Sequence, residues 1–158
     1  MRLKELPALL LCLALPLAVG AVSGIATASG LGTWYDGLAK PSFNPPSRVF
    51  GPVWTTLYAL MGISLFLVRR APASRERRRA LIVFAVQLAL NGAWSLVFFR
   101  LRNVGLAFAE ILLIDAAVAV WLRAAWIVDR RAGMLQLPYL AWVLFASVLN
   151  GAILVLNR

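Results

Sequence analysis

Residues 134–156 read MLQLPYLAWVLFASVLNGAILVL, an apolar stretch that contains no charged side chain. A helix needs about 20 such residues to cross the hydrocarbon core of a bilayer, so this stretch is long enough to span a membrane. Four more long apolar stretches cover 6–29, 50–68, 80–99 and 104–128. They lack the strict alternation of barrel strands, so the sequence predicts an all-α membrane protein, a bundle of five transmembrane helices.

The composition agrees with this prediction, since 62% of the 158 residues are hydrophobic and only 14% are charged. A water-soluble chain of this size could not bury so much apolar surface. The sequence shows no repeat, no low-complexity segment and no separate soluble region. We therefore expect residues 1–158 to form a single multi-pass domain in a lipid bilayer.

The first apolar stretch has two interpretations. Arg2 and Lys4 precede it and ATA at 26–28 ends it, a pattern that is also typical of a cleaved secretory signal. Its length favours a retained span, because the apolar region of a signal peptide is about 7–15 residues long. Gly20 and Gly24 also form a GxxxG motif, which suits close helix packing. We therefore expect a transmembrane helix here.

The net charge of +10 could indicate a nucleic-acid partner, but most basic residues lie in short segments between the apolar stretches. We therefore expect no nucleic acid. With five spans, eleven Lys and Arg fall on the side of the N-terminus and five on the other. The positive-inside rule then predicts a cytoplasmic N-terminus and an external loop 31–48. The basic run at 75–79 could also contact anionic lipid.

Histidine is absent, and the single cysteine, Cys12, lies within an apolar stretch. Without histidine, the usual histidine ligand of zinc, the Ser-His-Asp triad and the axial histidine of haem proteins are missing together, and one cysteine alone cannot form a CxxC metal site. We therefore expect no metal site, no firm catalytic residue and no required cofactor.

The longest connection, residues 31–48, contains three prolines, two of them adjacent. Such a segment cannot be the interior of a helix, so we expect an ordered turn or lid outside the hydrocarbon. Trp34 and Tyr35 in this loop suit the headgroup level, where aromatic residues are common.

Three predicted spans carry amides and aromatic rings on one helical face. The set in the second span is Trp54, Tyr58, Met61 and Leu65. The set in the third span is Gln87, Asn91, Trp94 and Phe98. The set in the fifth span is Tyr139, Trp142, Ala146 and Asn150. Brought together, the three faces would line a cavity for a flat hydrophobic ligand, although in any one span they could simply bond or pack between helices.

The fourth span contains two carboxylates, Glu110 and Asp115, which lie about 140° apart around a helix and are a poor acid–base pair. Glu110 is within reach of the interface, and either an interhelical hydrogen bond or a ligand contact would account for it. Asp115 lies deeper, and a single acid without a chain of partners is weak support for a proton relay.

Several motifs in a fixed order carry a resemblance to a known family. They are WYDGLAKPSFNPP at 34–46, Phe50, Trp54-Thr55, Leu57-Tyr58, Gln87 with Asn91 and Trp94, Pro138-Tyr139, Trp142, Ala146 and Leu149-Asn150. Over nearly the full chain, this order resembles the tryptophan-rich sensory protein and translocator protein family, also called the peripheral benzodiazepine receptor family.

The resemblance implies a five-helix membrane fold that binds protoporphyrin and related haem-like tetrapyrroles. In animals it also implies sterol and benzodiazepine-type ligands. A further implication is a pocket beneath the first loop, lined by positions matching Trp34, Trp54, Asn91, Trp142 and Ala146. The sequence departs from the animal pattern in 148–158, which lacks the tyrosine of the sterol motif. It also has Phe43 where a second loop tryptophan is common.

Residue chemistry and resemblance together predict a membrane receptor or sensor that binds porphyrins within the bundle, in tetrapyrrole regulation or transport. The predicted ligand-binding residues are Trp34, Tyr35, Asp36, Trp54, Tyr58, Gln87, Asn91, Trp94, Trp142 and Ala146. In this prediction Trp54 and Trp142 flank the macrocycle, amides donate hydrogen bonds, and the loop aromatics close the lid. The alternative is light-dependent porphyrin degradation, in which Trp54 or Trp142 supplies an electron. A gated transporter has the least support, because no inverted repeat is evident.

The third span also predicts a homodimer. Ala85, Ala89 and Ala93 form a ridge of small residues that lets two helix backbones approach closely. The same ridge could instead pack inside one chain. The predicted location is a bacterial cell membrane.

Overall fold

A computed structural model describes residues 5–30, 32 and 34–158. Its described part contains five helical segments long and apolar enough to cross a membrane, which confirms the predicted all-α membrane fold. The helices are α1 (Leu6–Ala28), α2 (Trp34–Gly37), α3 (Ser47–Arg70), α4 (Arg75–Ser95), α5 (Val104–Val128), α6 (Arg130–Met134) and α7 (Leu137–Leu156). Arg2 and Lys4, which enter the predicted topology, and Leu31 at the start of the loop lie outside the described residues.

Helices α3 and α4 extend beyond the apolar stretches that predicted them, most clearly at the start of α4, whereas α7 begins only at Leu137, three residues inside its stretch. Helix α4 begins at Arg75, five residues before the apolar stretch that starts at Ala80. Ser74 caps it, because the Ser74 hydroxyl accepts a hydrogen bond from the Arg77 backbone N–H at 3.1 Å. Hydropathy therefore marks the part of the helix that crosses lipid, whereas the capping residue marks where the helix begins.

A π-helical turn, Leu96–Arg100, continues α4 at its carboxyl end. In a π-helix each turn is wider than in an α-helix, and such turns are frequent at functional sites. Here two consecutive rings, Phe98 and Phe99, are both buried. The turn therefore allows both phenylalanines to face the interior of the bundle.

The spanning helices pack in the order α3, α1, α4, α5 and α7 around the bundle, and the short α6 packs against α5 and α3. Aromatic rings join α7 back to α3: the ring centroids of Phe50 and Trp142 are 5.9 Å apart, and those of Trp54 and Tyr139 are 6.3 Å apart. One side of the bundle is thus closed by side chains.

One end of the bundle, which we call the closed end, is a packed core. Trp121 of α5 is fully buried there, 5.0 Å from the Phe84 ring between centroids. Its indole N–H donates to the Gln136 side-chain oxygen at 3.0 Å, and Gln136 donates to the Leu60 carbonyl at 3.3 Å. Ser64 donates to the Ala132 carbonyl at 2.9 Å. Polar groups buried at this end are therefore used to join helices.

Two glycines bring α1 and α3 close together. A Cβ atom at Gly62 would lie 2.7 Å from Leu13 Cα, and one at Gly20 would overlap the Tyr58 ring. Gly24, the second glycine of the predicted GxxxG packing motif, has nothing within 4 Å of such a Cβ position. The motif therefore packs at Gly20 only, because at Gly24 the helices have separated around an open space.

Candidate functional site

A cavity of about 450 Å³ lies at the end of the bundle opposite the closed end, beneath the loop that joins α1 and α3. Ligand pockets in proteins are commonly about 300–1,000 Å³, so the volume suits a small molecule. All five spanning helices contribute to the wall. None of the described residues that line it is charged. The space can therefore hold a largely apolar ligand in the interior of a membrane protein.

Aromatic rings form much of the cavity wall. Trp54 lies beside Tyr58 on α3 with ring centroids 5.5 Å apart, and Trp142 of the neighbouring helix α7 lies beside Phe50. On the α4 side, Trp94 stacks on Phe98 at 4.9 Å and an interplanar angle of 20°. Flat rings on opposite walls favour a flat ligand, because aromatic surfaces attract one another in offset or edge-to-face contact.

A chain of hydrogen bonds joins the deep polar residues of three helices. Tyr58 donates to the Asn91 side-chain oxygen at 2.6 Å, and the Asn91 amide nitrogen donates to the Tyr139 hydroxyl at 3.0 Å. Tyr139 in turn donates to the Gln87 side-chain oxygen at 3.0 Å. These bonds satisfy polar groups that lipid and apolar side chains could not satisfy, so they hold α3, α4 and α7 together below the cavity.

The loop after α1 covers the cavity and is held in place by hydrogen bonds. Tyr35, which is buried and lines the cavity, donates from its hydroxyl to Asn44 at 3.1 Å. Burial raises the pKa of the Tyr35 hydroxyl, and the hydrogen bond with Asn44 opposes that rise. Asn157 and Ala39 exchange two hydrogen bonds of 2.9 Å, which join the loop to the end of α7. The loop therefore has the contacts of an ordered lid.

Seven of the ten predicted ligand-binding residues line the cavity: Tyr35, Trp54, Tyr58, Asn91, Trp94, Trp142 and Ala146. The other three lie elsewhere. Trp34 packs edge-on against Phe98 with centroids 5.4 Å apart, Asp36 is exposed, and Gln87 is fully buried against Tyr139. The binding of a ligand by any of the ten stays a prediction, but the structure brings the seven together around one space.

The sequence did not predict several lining residues of the cavity, most of which carry no amide or aromatic ring. Small residues of α1 and two isoleucines of α5 line the cavity, namely Gly20, Ala21, Gly24, Thr27, Ile111 and Ile114. Phe50 and Phe99 were also missed as lining residues. The run of small residues in α1 was the available signal, because small side chains leave space as readily as they allow close packing.

Two polar side chains of the wall have no hydrogen-bond partner within the described part of the chain. They are Trp142, through its indole N–H, and Asn150, through both its amide nitrogen and its amide oxygen. Asn150 is only 2% exposed. A buried amide without partners costs about 1–3 kcal/mol per group, so these atoms would gain from a ligand that supplies partners.

The carboxylates of the fourth span lie outside the cavity wall. Asp115 accepts a hydrogen bond from the Ser147 hydroxyl at 2.7 Å, which joins α5 to α7. One oxygen of Glu110 is buried and has no partner among the described residues. Of the two interpretations of Glu110, contact with a ligand in this cavity is not supported, since Glu110 is not among the residues that line it.

Comparison with known proteins places the whole bundle in one family. The sequence profile described as the TspO/MBR family matches residues 12–156. Tryptophan-rich protein TspO of Archaeoglobus fulgidus is 42% identical over 142 residues, which cover 89% of this chain and 91% of that protein. The protein of the same name from Chlorobaculum tepidum is 38% identical over 155 residues, 98% of each chain. Translocator protein of Homo sapiens is 42% identical over 119 residues, which cover 74% and 70%.

Proposed function

Because the chain belongs to the TspO/MBR family, whose members include sensory and translocator proteins, we propose that its cavity binds porphyrins. In this proposal the protein is a membrane receptor or sensor for protoporphyrin-type tetrapyrroles and similar flat, hydrophobic molecules. It acts in tetrapyrrole regulation or transport. Trp54 and Trp142 flank the macrocycle, and the loop with Tyr35 closes over it.

The observation that carries this proposal is the character of the cavity wall. Rings of α3, α4 and α7 surround a space of about 450 Å³, and no described lining residue is charged. A porphyrin offers a large flat surface that can stack on aromatic rings, and the removal of apolar area from water is favourable by about 25 cal/mol per Å². Sterols and benzodiazepine-type ligands share the apolar character. A sterol is the weaker candidate of the two, since it has no aromatic face to stack.

A spectral titration tests the proposal. Purified protein in lipid nanodiscs is titrated in the dark with protoporphyrin, and saturable quenching of tryptophan fluorescence is measured together with the porphyrin absorption band. We expect a stoichiometry of one porphyrin per chain. Quenching that rises linearly without saturation, as in empty nanodiscs, would indicate partition into lipid and would refute a specific site.

Light-dependent degradation is the second candidate, and the position of two tryptophans favours it. Trp54 and Trp142 both line the cavity, so either indole could give an electron to a porphyrin excited by light. The same titrated sample distinguishes the two functions when it is illuminated in air. With a protein that only binds, the absorption band of the porphyrin bleaches no faster than in a lipid-only control. With a degrading protein, the band bleaches faster than in that control.

The proposed orientation has a cytoplasmic N-terminus in a bacterial cell membrane, and so places the lid outside. Its support is the excess of basic residues on the side of the N-terminus. Part of that excess is Arg69 and Arg70, which end α3, and the run 75–79, which begins α4. A reporter that is active only in the cytoplasm is fused after Arg158. We expect no signal there and a strong signal when the same reporter follows Arg70, and the opposite pattern would reverse the topology.

We also propose a homodimer through the outer face of α4. Ala85 and Ala89 are exposed and Ala93 is half-buried, so most of the ridge is available to a second copy. Small residues allow backbones to approach, which is how helices associate in lipid. Ala89→Leu is expected to reduce the detergent-corrected mass to one chain. Ile82→Leu on the same exposed helix surface is the control, and an unchanged dimer mass in Ala89→Leu would exclude this interface.

A further inference from the structure

The polar groups of the cavity wall differ in whether the protein already satisfies them. Tyr58 and Asn91 bond to each other, and the Trp94 indole donates to the Ala107 carbonyl at 3.1 Å. The Thr55 hydroxyl donates to the Gly51 carbonyl of its own helix at 2.9 Å. Asn150 is the exception among the lining amides, since neither its nitrogen nor its oxygen has a partner in the described chain.

Asn150 also lies where a ligand in the cavity could supply the missing bonds. It is 2% exposed and lines the cavity from α7, in a stretch where the neighbouring wall residues are the apolar Ala146, Leu149 and Ile153. A side-chain amide presents a donor and an acceptor side by side. Its natural complement is a group with an acceptor and a donor in the same arrangement, such as a primary carboxamide or a protonated carboxylic acid.

The charge of the wall restricts that group further. None of the described lining residues carries a positive charge that could pair with a carboxylate. Burial of an unpaired charge in an apolar site is strongly unfavourable. The polar group of the ligand should therefore enter without charge.

We propose that Asn150 is the specificity-determining polar anchor of the cavity, and that it binds an uncharged ligand group that both donates and accepts hydrogen bonds. A carboxamide or a protonated carboxyl at the edge of a flat ring system meets this requirement. The proposal rests on the porphyrin-type function above and specifies which part of the ligand is recognised in polar terms.

The test compares two neutral porphyrins, protoporphyrin with both carboxyls converted to primary carboxamides and the corresponding bis(N,N-dimethylcarboxamide). Only the first can both donate and accept. The wild-type protein is expected to bind the primary carboxamide about 2- to 10-fold more tightly, the effect of one hydrogen bond. In Asn150→Leu this preference is expected to disappear, so that the two porphyrins bind with an affinity ratio of about one.

Gln136→Leu is the matched control, because Gln136 is a buried amide at the closed end with both polar atoms bonded. We expect this control to keep the wild-type affinity ratio and to unfold at a lower temperature. Asn150→Leu should unfold at a higher temperature than the wild type, because it removes two unpaired polar atoms. Should Asn150→Leu fail to fold, Asn150→Ala gives the same comparison of ratios.

An unchanged affinity ratio in the Asn150 variants overturns the inference. If these variants also unfold at a lower temperature than the wild type, Asn150 has a structural role instead. A second pair of probes, anthracene carboxamide and its N,N-dimethyl form, separates this inference from the proposed function. Failure of the wild type to bind either porphyrin refutes the porphyrin proposal. A preference for the primary anthracene carboxamide that depends on Asn150 would still support the anchor, and its absence would overturn it.

Discussion

Tyr139 and Asn150 are both buried polar residues of α7, yet they have opposite hydrogen-bonding states. The Tyr139 hydroxyl accepts from Asn91 and donates to Gln87, with both distances 3.0 Å. The Asn150 amide has no partner among the described residues. Tyr139 lies where α3, α4 and α7 converge, whereas Asn150 lies where the bundle opens around the cavity. Polar side chains of α7 therefore join helices at one level and lie unpaired beside the cavity at another.

The contrast also separates two kinds of aromatic residue. Trp121 at the closed end is fully buried, bonded to Gln136 and packed against Phe84. Trp142 is half-buried, lines the cavity, and its indole N–H is unpaired within the described chain. A tryptophan that joins helices and one that lines the cavity therefore differ in polar contacts and burial, and substitutions should separate their effects.

The largest effect is expected for Tyr139→Phe. Loss of the hydroxyl removes the partner of both the Asn91 nitrogen and the Gln87 oxygen, and should lower the free energy of unfolding by about 1–3 kcal/mol. Unfolding in mild detergent by a graded denaturant measures it. Tyr58→Phe, which leaves only the Asn91 oxygen unpaired, is expected to lose about half as much. Equal stability of wild type and Tyr139→Phe would mean that the chain of bonds is not what joins the helices.

The next effect concerns ligand affinity. Trp54→Phe and Trp142→Phe keep a ring in place but reduce the aromatic surface of the wall, which is expected to cost about 0.5–1.5 kcal/mol, a severalfold loss of porphyrin affinity. If Trp54 or Trp142 supplies electrons, light-driven bleaching should slow as well. Fluorescence and absorption titrations measure both.

Trp121→Phe and Trp126→Phe are the controls for these substitutions. Neither residue lines the cavity, and Trp126 is 37% exposed. Affinity should stay at the wild-type value in both, while Trp121→Phe lowers stability because Gln136 loses its donor. Equal affinities across all four phenylalanine variants would show that the site lies elsewhere.

The smallest effect is expected at the lid. Tyr35→Phe removes the hydrogen bond to Asn44 and keeps the ring that faces the cavity, so the lid should open more readily by about 0.5–1 kcal/mol. Stopped-flow dilution of a bound porphyrin should then show dissociation about two- to fivefold faster, with the unfolding temperature little changed. Ser42→Ala, an exposed change in the same loop, is the control. Identical dissociation rates in all three proteins would show that the Tyr35 bond does not hold the lid.

The fold could be predicted from the sequence because a bilayer imposes a simple requirement. Each span needs about 20 apolar residues and must satisfy its backbone internally, so a helix was predicted over 134–156, and α7 fills most of that stretch after a turn at 135–136. Helix ends were predicted less well, since the start of α4 at Arg75 depends on capping by Ser74 and not on hydropathy. The π-helical turn that buries both Phe98 and Phe99 has no local sequence signal that we recognise.

The sequence by itself determined the spans, the aromatic and amide faces and hence the chemical character of the site. It could not decide which of two amides on such faces bonds to a neighbouring helix, because Gln87 and Asn150 look alike along the chain. The Gln87 oxygen accepts from Tyr139, whereas its amide nitrogen has no partner among the described residues. Only the tertiary structure places Tyr139 against Gln87 and leaves Asn150 beside an open space. Hydrogen bonds between helices depend on angles and distances among segments far apart in sequence, whereas hydropathy and periodicity depend on near neighbours alone.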